Sequence, residues 1–200
     1  MGADRVIAVD PILARREVAL ALGADTALDP GADSGDVGLA IRRLTGLSDP
    51  PAREQTPAPR VLGGYREETT QAGQRGVDVA VEVAGSAQAL HHAIRATRFG
   101  GTVCVLSFYG RDAAGLRLGE EFHINRLQLI SARSQSLPLR DAPAWTLQRL
   151  TEVALGWLQS GRLRIDGIVT PVVSFAESVD AYRAIDERPE QSIKLGIRFP

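Results

Sequence analysis

Asp10 is the acidic residue of this sequence best placed to bind a ligand. It follows residues 5–9, an apolar run rich in β-branched residues that predicts a short buried strand. Pro11 then opens a helical pattern that Gly23 closes. In a dinucleotide-binding α/β unit, an acid at the end of the second strand accepts hydrogen bonds from the ribose hydroxyls of adenosine. The alternative is a helix N-cap, because Asp directly before Pro also suits the first turn of a helix.

Two other predicted strands also end in short runs that could approach a ligand. Residues 77–83 form a strand pattern that leads into Ala84-Gly85-Ser86, and the strand predicted over 102–108 ends in Leu106-Ser107-Phe108. Ligands of open parallel sheets bind at the carboxyl ends of the strands. Small residues at these ends would let a cofactor approach the backbone closely. Each run, taken singly, could equally be an ordinary tight turn.

Two carboxylates and the single cysteine are interpreted as structural. Asp78 and Glu82 lie four residues apart on one face of a predicted strand. They resemble a catalytic pair, but we expect Glu82 to be buried at the strand end and hydrogen-bonded to backbone. Cys104 lies in a buried-strand pattern, so we expect an inert core residue, and one cysteine excludes disulfides within the chain.

The histidines do not predict a metal site. One cysteine and three histidines cannot assemble a cysteine-rich structural zinc site. His91 and His92 are neighbours on a predicted helix and point about 100° apart, so we expect two surface residues. His123 follows two glutamates, and we expect that segment to be a solvated loop.

Composition and charge exclude several classes of protein. The chain has 200 residues, 44% of them hydrophobic, with a formal net charge of -1. Its basic residues are dispersed, which does not favour a nucleic-acid partner. No apolar run approaches the roughly 20 residues that span a bilayer, and the first residues do not form a signal or transit pattern. We therefore expect a cytoplasmic protein with neither nucleic-acid nor membrane partners.

Predicted strands and helices alternate along the chain. Strands are predicted over 5–9, 26–28, 77–83, 102–108, 127–130 and 193–199, and helices after Pro11 and around 37–44, 90–97, 147–158 and 179–185, with a capping box at 174–177. This alternation predicts an α/β fold with a mainly parallel sheet covered on both faces. The proline-rich segment 47–75 has no sustained period, so we expect a mobile surface insertion.

Several of these segments together resemble one enzyme family. The runs GADRVIAVD at 2–10, ALGAD at 21–25, GVDVAVEVAG at 76–85, GGTVCV at 100–105 and SIK at 192–194 resemble the medium-chain, zinc-type alcohol and polyol dehydrogenases, in the family's own order. The resemblance covers nearly the whole chain outside 47–75. It implies an incomplete, doubly wound parallel Rossmann domain over 1–135 and a returning segment of the catalytic domain over 136–200.

The resemblance also implies roles for ten residues in binding NAD. Asp10 would hold the ribose hydroxyls and repel the 2′-phosphate of NADP, with the basic Arg15 beside the adenosine half. The remaining residues would line the cofactor path: Val83 and Ala84 at the riboses, Leu106, Ser107 and Phe108 at the nicotinamide, Ser131 and Ala132 at its carboxamide, and Lys194 at the pyrophosphate. For Lys194, a solvated residue on an edge strand is the open alternative.

Two expected parts of that family do not match this sequence. They are the amino-terminal half with the catalytic zinc ligands, and the first strand with its glycine-rich turn. We therefore expect a fragment or a misassigned start, which alone neither binds cofactor tightly nor oxidises the alcohol or ketone substrate of a full-length parent. Association of copies through the sheet edge is also expected. A non-catalytic interaction module and another Rossmann-like enzyme, such as a methyltransferase, are the alternatives.

Overall fold

The computed structural model describes residues 2–32, 35–46, 76–110, 112–132 and 144–200. The chain divides into two compact units, Met1–Ala32 with Thr146–Pro200, and Asp33–Trp145. The predicted insertion at 47–75 lies outside the described residues. The domain boundary expected at residue 135 stays a prediction.

The described elements alternate between strands and helices, as the sequence predicts. The strands are β1 (Ile7–Val9), β2 (Thr26–Leu28), β3 (Val77–Glu82), β4 (Thr97–Val105), β5 (Gln128–Ser131), β6 (Val169–Ser174) and β7 (Lys194–Arg198). The helices are α1 (Leu13–Ala21), α2 (Val37–Thr45), α3 (Ala87–Ala96), α4 (Glu121–Ile124), α5 (Leu147–Gln159) and α6 (Ser178–Glu187).

All described strand pairs are parallel, which confirms the predicted α/β class. In the first unit β1 pairs with β2, and β6 pairs with β7. In the second unit β3, β4 and β5 form one sheet in that order. The predicted capping box is confirmed: Ser174 and Glu177 exchange their hydrogen bonds, and one 3-10 turn then precedes α6.

The apolar core of the described residues lies in the second unit. Leu90 and Ile94 of α3 pack with Val103 of β4 and Leu127, and Ile94 and Val103 are fully buried. Their i, i+4 spacing puts Leu90 and Ile94 on one face of the helix, against the sheet. On the opposite face of β3, Val79 and Val81 are 56% and 58% exposed. The described residues therefore cover one face of this sheet, whereas we expected both to be covered.

Strand β4 begins five residues earlier than predicted. The predicted strand starts at residue 102, but α3 ends at Ala96 and Thr97 already pairs with Val77. Gly100 adopts a φ of +68° and its N–H bonds to the carbonyl of Asn125, 2.8 Å away. The glycines thus form an irregularity within the strand, where a left-handed residue is accommodated without Cβ strain.

An ionic network around the buried Glu121 carboxylate joins three helices of the second unit. The Arg95 guanidinium lies 2.9 Å from Asp36 Oδ2, at the N-cap of α2, and 3.2 Å from Glu121 Oε1, in α4. Glu121 is 2% exposed, so the solvated loop expected around it is wrong at this residue. Arg42 of α2 is also buried and donates to the carbonyls of Arg95 and Thr97. A carboxylate is tolerated here because a guanidinium faces it.

Among the described residues, no helix is both long enough and apolar enough to cross a membrane.

Replacing Arg95 tests how much this network contributes. Arg95→Met leaves the buried Glu121 carboxylate without its cation, and we expect the free energy of unfolding to fall by about 3 kcal/mol. Urea denaturation followed by circular dichroism measures this change. The control is Arg183→Met, which removes an exposed pair with Asp180 and should cost less than about 1 kcal/mol. If Arg95→Met and Arg183→Met lower the free energy of unfolding equally, Glu121 is solvated and does not depend on Arg95.

Candidate functional site

In the first unit, the Asp10 carboxylate follows β1 and organises the turn into α1. Its Oδ1 accepts a hydrogen bond from the Ile12 N–H at 2.8 Å. Helix α1 begins at Leu13, and Ile12 is the N-cap, with an extended backbone and no side-chain cap. The N-cap interpretation of Asp10 is therefore wrong: Pro11 offers no N–H, and the carboxylate forms an Asx turn to the residue two positions on.

Two arginines surround Asp10. Arg15 Nη1 lies 3.8 Å from Asp10 Oδ2, and both side chains are about one-third exposed. Arg16 Nη1 donates to the Asp10 carbonyl at 2.7 Å and pairs with Asp29 Oδ2 at 3.0 Å. Among the described residues, Oδ2 has the longer contact with Arg15, and the Asp10 side chain is 29% exposed, so the carboxylate can accept hydrogen bonds from hydroxyl groups. Arg15 therefore lies beside Asp10, and its expected role at the adenosine half of a cofactor stays a prediction.

Lys194, the other basic residue predicted for this site, begins β7 in the same unit. Its side chain is exposed, and its backbone is in register with Val169 and Thr170 of β6. This position fits a solvated residue on a strand as well as an anion ligand. Its role at a pyrophosphate stays a prediction.

In the second unit, three parallel strands end in register at one edge of the sheet. Glu82 of β3 pairs with Val105 of β4, which pairs with Ser131 of β5. The Leu106 N–H continues this ladder to the Glu82 carbonyl at 3.0 Å, and the Ala132 N–H to the Val105 carbonyl at 2.8 Å. The structure thus brings together the predicted residues that follow these strands: Val83, Ala84, Leu106, Ser107, Phe108, Ser131 and Ala132.

The strand-end residues differ in how far their side chains are exposed, and therefore in whether they can contact a ligand. Phe108 is 88% exposed and Val83 is 72% exposed, and Ala84 and Leu106 are also exposed. Ser107 is half-buried and its hydroxyl donates to the Glu82 carbonyl at 3.4 Å. Apolar side chains held in solvent at strand ends can contact a bound ring, whereas Ser107 is already used within the protein.

The Glu82 carboxylate is the centre of this edge. It is 3% exposed, and its Oε1 accepts from the N–H groups of Ala84 at 2.7 Å and Gly85 at 2.9 Å. The expectation that Glu82 is buried and bonded to backbone is confirmed. Asp78, its supposed partner, is 80% exposed in its side chain and pairs with Arg98 instead, so the two carboxylates do not form a catalytic pair.

Tyr109 is the residue that sequence reasoning missed. Its hydroxyl donates to Glu82 Oε2, so the phenol completes the hydrogen bonding of the buried carboxylate. The sequence pattern indicates no role for this tyrosine. The only signal available was a tyrosine directly after a strand end, because the two partners lie 27 positions apart.

The hydrogen bonds of this pair change both acidities. Burial alone would raise the pKa of the Glu82 carboxyl, but the hydrogen bonds from Tyr109, Gly85 and Ala84 outweigh it and lower the pKa below the ordinary 4.5. Burial and the bond to Glu82 raise the pKa of Tyr109 well above its ordinary value of 10. At neutral pH the pair is therefore a carboxylate that accepts a hydrogen bond from a neutral phenol.

The histidines do not form a metal centre among the described residues. No group of three His, Cys, Asp or Glu side chains there could hold an ion. His91 and His92 are half-buried, not surface residues as expected, and burial lowers the pKa of His92. His123 is exposed on α4, and Cys104 is a half-buried free thiol within β4.

Comparison with known proteins gives one consistent result. A family model described as zinc-binding dehydrogenase matches residues 1–137. D-guloside 3-dehydrogenase from Escherichia coli is 35% identical over 199 residues, which cover 99% of this chain and 49% of that protein. This chain thus spans about half the length of that curated relative.

Solved structures share the fold at lower identity. Benzyl alcohol dehydrogenase from Acinetobacter calcoaceticus superposes with a TM-score of 0.69 at 20% identity, over 100% of this chain and 44% of that one. A Sinorhizobium meliloti protein solved with NADP bound gives a TM-score of 0.60 at 20% identity, over 99% and 45% of the two chains. At these identities the likeness establishes the fold alone.

Substitution of Gly85 tests the contact between the two turns. Gly85 has a φ of +73°, and an added Cβ would lie 2.9 Å from the Phe108 carbonyl oxygen. We expect Gly85→Ala to lower the free energy of unfolding by about 2 kcal/mol, from left-handed strain and the clash. The control is Gly156→Ala within α5, where the added Cβ meets nothing within 4 Å and should stabilise by about 0.5–1 kcal/mol. Urea denaturation measures the free energy of unfolding of both variants. An unchanged value in Gly85→Ala would contradict the close approach of Gly85 to Phe108.

The pH dependence of stability tests the charge of Glu82. Because its folded pKa is below its unfolded value, the carboxylate stabilises the fold above about pH 4.5, and this contribution disappears as the pH falls through the folded pKa. Glu82→Gln keeps the shape but not the charge, so we expect a loss of about 1–2 kcal/mol at pH 7. Denaturation curves at several pH values should show that the difference in free energy of unfolding between the unaltered protein and Glu82→Gln disappears in acid. A difference that does not change with pH would mean that Glu82 is not ionised. The control is Glu187→Gln, at an exposed position on α6.

Proposed function

Since the chain belongs to the zinc-binding dehydrogenase family, we propose that it is the cofactor-binding part of an NAD-dependent alcohol or polyol dehydrogenase. The carrying observation is the Asp10 carboxylate at the end of β1, with one oxygen partly open to solvent beside Arg15. Family membership excludes the methyltransferase alternative. The whole reaction, its substrate and its location in the cytoplasm belong to this proposal, because the chain spans about half the length of the relative that it matches.

The described residues fit a nicotinamide dinucleotide in two places. In the first unit, Asp10 Oδ2 offers an acceptor for a ribose hydroxyl, and its negative charge opposes a 2′-phosphate. In the second unit, the left-handed turn at Gly85 keeps side-chain bulk away from the strand ends, while Val83 and Phe108 offer exposed apolar surface to a ring. Bound there, the nicotinamide would accept the hydride that leaves the alcohol carbon.

The choice of NAD over NADP depends on electrostatics at Asp10. A 2′-phosphate near this carboxylate would suffer like-charge repulsion, which Arg15 at 3.8 Å offsets only in part. The NADP-bound structural neighbour does not decide this question, because it shares only the fold at 20% identity. The polyol class is supported by the relative from Escherichia coli that is named a D-guloside 3-dehydrogenase.

The outer edge of β5 supports a further part of the proposal, the association of two copies. Among the described strands, β5 pairs only with β4, and all four of its residues are exposed. A strand with one unpaired edge and exposed Leu129 and Ile130 is suited to pairing with another strand. We therefore propose a homo-oligomer that forms through this edge.

Cofactor titration of the 200-residue chain tests the proposed function. Ligand-observed NMR should detect weak, saturable NADH binding, with a dissociation constant of about 0.1–1 mM, and NADPH binding at least about tenfold weaker. Asp10→Asn removes the repelling charge, so the preference for NADH should shrink by about tenfold. Asp186→Asn, the same chemical change on exposed α6, should leave the preference unaltered.

Two results would contradict this proposal. Absence of saturable binding by either nucleotide would favour the alternative, a non-catalytic interaction module that uses the exposed apolar side chains. Equal affinity of NADH and NADPH for the unaltered chain would contradict the role of Asp10. We expect no alcohol-dependent NADH formation by this chain alone, and formation of NADH would contradict that expectation.

A further inference from the structure

One carboxylate and one carbonyl of Glu82 tie together two turns that follow different strands. The carboxylate holds the 83–85 turn through the amides of Ala84 and Gly85, and it holds the 106–109 turn through the hydroxyl of Tyr109. The Glu82 carbonyl binds the second turn again, through the Leu106 N–H and the Ser107 hydroxyl. All of these hydrogen bonds are accepted by Glu82, so the spacing between the turns depends on this residue.

The two turns also lie close together. A Cβ added to Gly85 would lie 2.9 Å from the Phe108 carbonyl oxygen and 3.6 Å from the Ser107 Cβ, so the space between the turns does not admit a side chain at this position. The hydrogen bonds through Glu82 oppose separation of the turns.

Glu82 and Tyr109 do not themselves present a surface to a ligand. Glu82 is 3% exposed, and the Tyr109 ring packs against the apolar core while its hydroxyl points to the carboxylate. The most exposed side chains of the two turns are Val83 and Phe108. A ligand that lies against both turns would thus contact exposed residues whose separation is determined by the buried Glu82 and Tyr109.

We propose that Glu82 and Tyr109 are a positioning pair, whose hydrogen bond holds the 83–85 and 106–109 turns at the spacing that the nicotinamide half of the cofactor requires. This inference rests on the proposed function. Without the phenol hydroxyl, the buried Glu82 Oε2 loses the hydrogen bond from Tyr109, and the turns sample wider separations. A ligand must then order the turns as it binds, and that cost reduces its affinity.

The test is Tyr109→Phe, which removes one oxygen, with Tyr182→Phe on exposed α6 as the matched control. In the ligand-free chain, hydrogen exchange of the Ala84 and Gly85 amides should become about tenfold faster in Tyr109→Phe, which corresponds to about 1.4 kcal/mol. By ligand-observed NMR, its NADH dissociation constant should rise by about tenfold. Tyr182→Phe should change neither quantity.

ADP-ribose separates positioning from a general loss of structure. It lacks the nicotinamide ring, so its affinity should change by less than about threefold in Tyr109→Phe. Equal losses for NADH and ADP-ribose would overturn the inference in favour of a structural role. Unchanged exchange and unchanged NADH affinity would also overturn it.

A second variant guards against unfolding of Tyr109→Phe. Glu82→Gln keeps the shape of the side chain but weakens its hydrogen bonds to both turns, so its NADH dissociation constant should also rise by about tenfold, while its ADP-ribose affinity should stay within about threefold. A folded Glu82→Gln that binds NADH as the unaltered chain does, or that loses affinity equally for NADH and ADP-ribose, would overturn the inference. If the unaltered chain binds no NADH, the proposed function and the cofactor role of the pair both fail, while the exchange rates still report whether the pair holds the turns.

Discussion

The satisfaction of one buried carboxylate determines the geometry of the strand-end edge in the second unit. A charge at 3% exposure is tolerated only when donors surround it, and Glu82 finds them in two amides and a phenol. Those donors belong to the turns that follow β3 and β4. Moving either turn away would deprive the carboxylate of a hydrogen-bond donor, which is unfavourable for a buried charge. The need to pair this carboxylate therefore restricts the backbone of both turns and the shape of the candidate binding edge.

The same principle acts at the other buried acid of this unit with a different consequence. Glu121 is 2% exposed and is neutralised by Arg95, which also reaches Asp36. These contacts join helices, so they stabilise the support of the sheet and not its ligand-facing edge. Glu82 receives no cation among the described residues, only dipolar donors. It stays ionised through hydrogen bonding, which makes its stability contribution sensitive to the orientation of the turns.

Local patterns predicted most of the elements, because their causes are local. Strand Thr26–Leu28, helix Leu147–Gln159 and the Ser174–Glu177 capping box follow from residue type and short-range spacing. The features that local patterns did not predict have long-range causes. Arg42 is buried because the carbonyls of residues 95 and 97 accept its hydrogen bonds, and Tyr109 acquires its role from a carboxylate on another strand. The start of β4 at Thr97, before the predicted residue 102, depends on its pairing with Val77, which no local pattern shows.

The candidate sites of the two units, each taken by itself, differ in how much of their geometry is fixed before a ligand binds. In the second unit the two turns are held by buried hydrogen bonds to Glu82, so a ring that fits meets a surface that is already formed. At the first unit, Asp10 shares its open oxygen with an arginine 3.8 Å away, and both side chains are partly solvated. Exposed pairs of this kind contribute little to stability and rearrange easily. If the proposed function holds, we infer that the rigidity of the two turns determines the affinity for the nicotinamide half. The charge of Asp10 would then determine the selection against a 2′-phosphate.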